Sequence, residues 1–509
     1  MFPMTIIIKG VQIINGTGKP PTAADVLIKG DRISAIGDFS AKKAEEVIDL
    51  RGTGAFLTPG FIDVNTDSDH YLSIFTNPEQ ENFLLQGVTT IIGGNCGSSL
   101  APLIRGTLES IRKWTDTDLI NVNWQSVAEF LSELEKIKLG VNFGTLIGHS
   151  TVRRGLLGEI PRDLSAEEMR VVKNLVEKGL EEGAFGLSTG LSYAHAKMTP
   201  YLEIKTLTEA VAKYKGVYAT HLRNERSKIA QSVEETVKVA KENGLKAEIS
   251  HLRPILGFER EFEEALKLID ESLTDADVTF DAYPFDSSVV PVYTLLPSWA
   301  RHGNLEKMVE LLKTAANRER IIGDMPKLTG EEITIAAAPK NEFLIGKTLK
   351  EFSENQGLSP LEGVIQLMRV TNLRAVVFYR NVNFDYLKKA LGHERCIVAS
   401  NGGAMPAGRA GIAAEKVLNH ERSYNTFPKF LEIVSGENQM PIEKAVNKIT
   451  GLPARKFGIK DSGIIAEGKC ADLAVIQNNK ISAVIVNGKI AVKNGEFQNV
   501  SAGKVLRRK

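Results

Sequence analysis

The feature that most narrows what this chain can fold into is a repeated alternation. Eight short runs, "GAFLTPGFIDV", "GVTTIIGG", "VNFGTLIGH", "GAFGLSTG", "GVYATHL", "KAEISHL", "DVTFDAYP" and "RCIVASN", are apolar and rich in β-branched or aromatic residues. Helix-period segments such as "SAEEMRVVKNLVEKGLEEG" and "IAQSVEETVKVAKENG" separate several of them. A strand buried on both faces reads as a near-continuous apolar run, and strands alternating with helices predict a parallel sheet. Eight such units predict an α/β fold, a (β/α)8 TIM-type barrel. A ninth run, "RAVVFY" at 374–379, spoils the count and reads as an extra strand within an insertion. Residues 286–349 fit the alternation poorly and read as an insertion that covers the site.

Both ends of the chain differ from this middle. "TIIIKGVQIINGTG" and "ADVLIKGDRISAIG" near the start, and "KCADLAVIQNNKISAVIVNGKIAVKNGEF" near the end, are β-rich and broken by Gly, Asn and Asp, as hairpins are. They predict a small β-sandwich domain built from both chain termini, from 1–56 and 451–509, enclosing a barrel at 57–450.

Composition mainly excludes. A formal net charge of +1 gives no field that would draw the chain onto nucleic acid or a membrane surface. No run of eighteen apolar residues predicts a membrane span. The start lacks a basic n-region and a small-residue cleavage site. Three cysteines in 509 residues make no disulfide framework. A cytoplasmic protein is the expectation.

In such a barrel, the residues that do chemistry close the strands at their C-terminal ends. Strand one closes in Asp63, Asn65, Asp67 and Asp69, strand two in Asn95 and Cys96, and strand three in His149. Strand five closes in His221, strand six in His251 and Arg253, strand seven in Asp281 and Tyr283, and strand eight in Asn401. Of only eight histidines, three stand at strand ends. Cys96, His221 and His251 would make a three-ligand thiolate and imidazole set with an open fourth position, the arrangement of catalytic zinc. Each residue alone also reads as a buried or hydrogen-bonded strand-end residue.

The motifs "PGFIDV", "GVTTIIGGNCGSSLAP", "LIGHSTVRRGLLG", "YATHLRNE", "ISHLRP", "DAYPF" and "TGLPARKFGIKDSGIIAEGKCADLAVI" carry a likeness that runs almost end to end. On them the chain resembles the amidohydrolase superfamily, and within it the N-acyl-D-amino-acid deacylase branch. The resemblance implies that Cys96, His221 and His251 bind zinc, and that the cysteine takes over the role of a strand-four lysine, which "GAFGLSTG" lacks. It implies a substrate carboxylate held by Arg253, Tyr283, Ser287 or Ser288, and Arg422. Glu421, beside Arg422, stands where the family has proline.

Two departures fall on catalytic positions. Asn65 and Asp67 replace a His-x-His pair, which leaves at most a hard-ligand second metal site and implies one zinc per chain. Asn401 replaces the aspartate that shuttles the proton, and an amide cannot carry one. Asp67, Asp69 and His149 are the nearby titratable substitutes. The expected function is a zinc-dependent hydrolase of the amide bond of a carboxylate-bearing N-acyl amino acid, a small-molecule substrate. The alternative is a catalytically impaired amidohydrolase-fold protein that binds a ligand or partner. Self-association is left open.

Overall fold

The computed structural model describes residues 4–104, 108–112, 115, 117–160, 162–193, 195–301, 305–404, 417–437 and 440–508. All eight apolar runs form strands: Phe61–Asp63, Val88–Gly93, Asn142–Thr145 continued by Ile147–Gly148, Gly186–Gly190, Val217–His221, Lys246–Ile249, Asp277–Ala282 and Cys396–Val398. Each pairs with its neighbours in parallel. The ring closes at its C-terminal rim, where a parallel bridge joins Thr66 to Gly402. There Asn401 donates its backbone N–H to Asn65 O at 2.8 Å, and Asp67 donates to Gly402 O at 2.7 Å. The structure is thus a (β/α)8 barrel.

The helices form where the sequence stops offering alternatives. Ala166–Glu181 opens with a capping box, Ser165 accepting from Glu168 N while the Glu168 carboxylate accepts from Ser165 N. It buries Val172, Val176 and Leu180, spaced for one face of a 3.6-residue period. Ile229–Asn243 ends at Gly244, whose φ of 61° lies in the left-handed region that glycine enters without strain.

The termini join in one hydrogen-bonded array of nine strands. Phe56–Pro59 lies between Thr5–Ile13 and Leu473–Gln477, so it belongs to this sheet and the barrel proper starts a few residues later than expected. Side chains alternate as a pleat requires. Leu473 and Val475 pack with Ile6, Ile8 and Val26 in the sheet's own core, whereas Ala474, Val484 and Val486 face the main core.

A second separate core, including Val292, Ile321, Ile333, Phe352, Val364 and Val377, belongs to the insertion. Its sheet orders Ser287–Pro291, Val376–Arg380 and Ile333–Ala337 antiparallel. The run at 374–379 is the central strand of that sheet. The insertion therefore continues past its expected end at 349, to about residue 380. No helix among the described residues is long and apolar enough to cross a membrane.

Candidate active site

The barrel rim turns sharply where chemistry is concentrated. Cys96, His251 and Asn401 have φ of 50°, 40° and 48°, a region non-glycine residues enter rarely and hold only when their surroundings fix them. Gly97 follows Cys96 at φ 77°, and a Cβ there would lie 2.6 Å from Gly190 N. Ser188 of strand four braces this turn: its hydroxyl accepts from Gly97 N at 3.0 Å and donates to Gly94 O. At the other strand ends buried carboxylates serve as anchors. Asp281 Oδ1 accepts from His251 N at 2.9 Å, and Asp63 Oδ1 accepts from Ser400 N at 3.1 Å and Asn65 N at 3.2 Å. Burial pushes both carboxyls up to about 7.

These anchors bring Cys96, His221 and His251 together, with one donor atom from each within 4.8 Å of the others and all three residues buried. Cys96 Sγ lies 3.3 Å from His251 Nε2. Zinc bonds of 2.0–2.3 Å at a tetrahedral centre need donors roughly 3.3–3.8 Å apart, so that pair already stands at ligand spacing. The rings of His221 and His251 meet edge to face with centroids 4.3 Å apart. Burial and the neighbouring His221 lower the His251 pKa to about 4, leaving a neutral ring able to ligate. His221 Nε2 faces Ser192 Oγ at 2.7 Å and Glu225 Oε2 at 3.3 Å, while its buried Nδ1 has no hydrogen-bond partner among the described residues. A thiol and two imidazoles, one of them with an orphaned nitrogen, fit a soft divalent metal.

The other expected site residues divide. A cavity of about 160 Å³ is lined by Cys96, His221, His251, Asp67, Arg253, Ser288, Asn401 and Arg422. Arg253 Nη1 donates to Ser288 Oγ at 2.8 Å and to Tyr283 Oη at 3.3 Å, and its Nη2 donates to Glu225 Oε1 at 2.7 Å. Ser287 points elsewhere, its Oγ 2.8 Å from His420 Nε2. Arg422 is buried, lies over the Tyr283 ring and reaches Asp67 Oδ2 at 3.5 Å. Its Nη1 has no hydrogen-bond partner among the described residues. Glu421 does not neutralise it: that carboxylate is exposed and accepts from Asn425 Nδ2 at 2.6 Å.

Asp67 does not join the donor cluster among the described residues. Asn65 Nδ2 donates to both Asp281 oxygens, at 3.1 and 3.3 Å. Asp67 Oδ1 pairs with His70 Nδ1 at 2.8 Å, and His70 Nε2 faces Ser98 O at 3.0 Å. With an acceptor at each nitrogen, His70 is an imidazolium. Burial opposes that charge, but Asp69 and Asp67 overcome it and raise the pKa to about 9. Burial would raise Asp67 too, but the His70 hydrogen bond and the His70 and Arg422 charges hold it below the usual range. His149 does not line the cavity. Its Nε2 is 2.7 Å from Glu203 Oε1, which also accepts from Arg153 Nε at 3.0 Å.

Glu225 and His70 escaped the sequence reading. Glu225 ends "THLRNE", four residues after His221, a spacing that could have flagged it. Nothing in "SDH" distinguishes His70 from a surface histidine.

An amidohydrolase family model matches residues 409–491. D-aminoacylase of Alcaligenes xylosoxydans xylosoxydans is 28% identical over 531 residues, covering 99% of this chain and 98% of that protein. N-acyl-D-glutamate deacylase of the same organism is 28% identical, over 94% of this chain and 88% of its own length. A solved D-aminoacylase structure, described as showing one-metal activation and second-metal attenuation at a binuclear centre, matches with a TM-score of 0.80. It is 28% identical and covers 99% of this chain and 100% of its own. The fold, the strand-end donors and these matches make the chain similar to the amidohydrolases. Among them the similarity is to D-aminoacylase and the N-acyl-D-amino-acid deacylases.

Proposed function

We propose that this chain hydrolyses the amide bond of an N-acyl-D-amino acid, using a single zinc ion held by Cys96, His221 and His251. The observation that carries this reading is the convergence of those three donors in a cavity whose wall presents Arg422 with a buried Nη1 that has no hydrogen-bond partner among the described residues. When bound, zinc would supply Lewis acidity and lower the pKa of a coordinated water toward 7.

The remaining work falls to the chain. Arg422 offers Nη1 to the substrate carboxylate, and burial makes that charged hydrogen bond count. Arg253 forms the second side of the clamp, already oriented by Ser288 and Tyr283. Asp67 is the carboxylate placed to move a proton in the cavity, since Asn401 cannot and His149 is committed to Glu203. His70, charged behind Asp67, keeps that carboxylate ionised and so free to take a proton, at the cost of lowering its basicity. The catalytically impaired alternative finds no support among the relatives, which are named as deacylases.

The test is direct. Zinc-loaded protein should release free amine from N-acetyl-D-amino acids, should be slower on the L-enantiomers, and should contain about one zinc per chain by elemental analysis. Failure to turn over any N-acyl amino acid, or a metal content near two or zero, would overturn the reading.

A further inference from the structure

Three groups from two strand ends converge on one carboxylate. Glu225 Oε1 lies 2.7 Å from Arg253 Nη2 and 3.4 Å from His251 Nδ1, and Oε2 lies 3.3 Å from His221 Nε2. Cys96 faces Nε2 of His251, which leaves Nδ1 toward Glu225, while His221 turns Nε2 to both Ser192 and Glu225 and so leaves Nδ1 for a metal. We propose that Glu225 is a positioning residue that fixes which nitrogen of each histidine ligates and ties the metal centre to the substrate clamp at Arg253. The proposal rests on the metal reading above.

A carboxylate behind a ligating imidazole accepts its other N–H, sets the tautomer and orients the ring. Glu225 is hydrogen-bonded to Arg253 and stands 3.3 and 3.4 Å from the two rings, placed to do this for both once a metal draws them in. Metal affinity and carboxylate affinity should therefore be coupled, because loosening either partner frees Glu225 to turn. A carboxamide cannot substitute. It offers one acceptor oxygen, and its amino group would face an imidazole N–H or the guanidinium as donor against donor.

The experiment uses the full chain, stripped with a chelator and titrated with Zn2+ against a chromophoric competitor. Glu225→Gln should weaken zinc binding by roughly 10–100-fold. In the Co2+-loaded protein it should shift the ligand-field bands while leaving the thiolate charge-transfer band of Cys96, which a purely structural role would not do. KM for an N-acetyl-D-amino acid should rise as Arg253 loses its anchor. Wild-type zinc affinity together with an unchanged cobalt spectrum in Glu225→Gln would refute the role. Should that variant fail to fold, Glu225→Asp decides. One methylene shorter, it cannot reach both rings, so weakened zinc binding upholds the proposal and wild-type affinity refutes it. A wild-type chain that takes up no metal would instead refute the metal centre itself, a separable result.

Discussion

Asn401→Asp is the substitution whose outcome says most about this site. Asn401 ends strand eight, lines the cavity and donates its backbone N–H to Asn65 O at 2.8 Å. Its φ of 48° is one that aspartate tolerates nearly as well as asparagine, so the exchange leaves the rim in place. The new carboxylate would share the cavity with Arg422 and a zinc ion, both of which favour its ionised form. Positioned acid–base help contributes roughly 10²–10⁴-fold. The lower bound lowers the barrier by about 2.7 kcal/mol. We expect kcat on N-acetyl-D-amino acids to rise at least about 10²-fold, with KM changing much less, because the gain belongs to the chemical step. The assay is steady-state amine release by zinc-loaded protein at neutral pH. An active wild type whose kcat does not move on Asn401→Asp would show that another group already carries the proton, with Asp67 the first suspect. Zinc-binding protein that is inactive with either residue would place the limiting loss at strand one.

Other outcomes follow from the same geometry. Arg422→Ala should weaken substrate binding by about 1.5–3 kcal/mol, and the α-carboxamide of the substrate should be nearly indifferent to the change; equal losses for both compounds would refute the clamp. Cys96→Ser should strip most of the zinc at a fixed chelator concentration, and retention of full occupancy in elemental analysis would exclude the thiolate as a ligand. His70, raised from 6.5 to about 9, contributes about 3 kcal/mol of stability. That contribution is fully present below about pH 6.5 and is lost as pH rises through 9. Denaturant unfolding from pH 6 to 10 should show the decline, and a flat profile would mean that the ring is neutral. Glu203→Gln leaves Arg153 buried without its carboxylate and should cost about 3–5 kcal/mol of stability; if kcat at a temperature where the variant is folded also collapsed, His149 would regain a catalytic role.

The barrel was legible because each of its strands is sealed on both faces, so eight continuous apolar runs could be counted directly. The insertion was harder. Its strands belong to a small antiparallel sheet with its own core, and Val376–Arg380 is only half-buried, so neither the barrel's pattern nor a clean alternation marks where it ends. The terminal strands were visible as hairpins and their joining in one domain was expected, but pairing between residues more than 400 apart leaves no local signal, so the strand order was not. Within the site, the residues on strand ends could be placed because strand order fixes them. His149 shows the limit: it stands at the right height but turns toward Glu203 on a neighbouring helix, and rotamer direction is not written in spacing. Glu225 lies past a strand end in a loop, where the backbone path rather than periodicity decides what a side chain reaches.

The terminal sheet sets a schedule for synthesis. Phe56–Pro59 emerges early, yet one of its two hydrogen-bonded edges is completed only by Leu473–Gln477, some 410 residues later. At roughly 5–20 residues per second, that edge waits about 20–80 s on the ribosome. Throughout that interval, the segment offers unpaired N–H and C=O groups on a strand whose Leu57 belongs in a core. The nascent chain must either hold this strand against Thr5–Ile13 alone or be shielded by a chaperone. A strand made some 410 residues later is therefore what seals an early one.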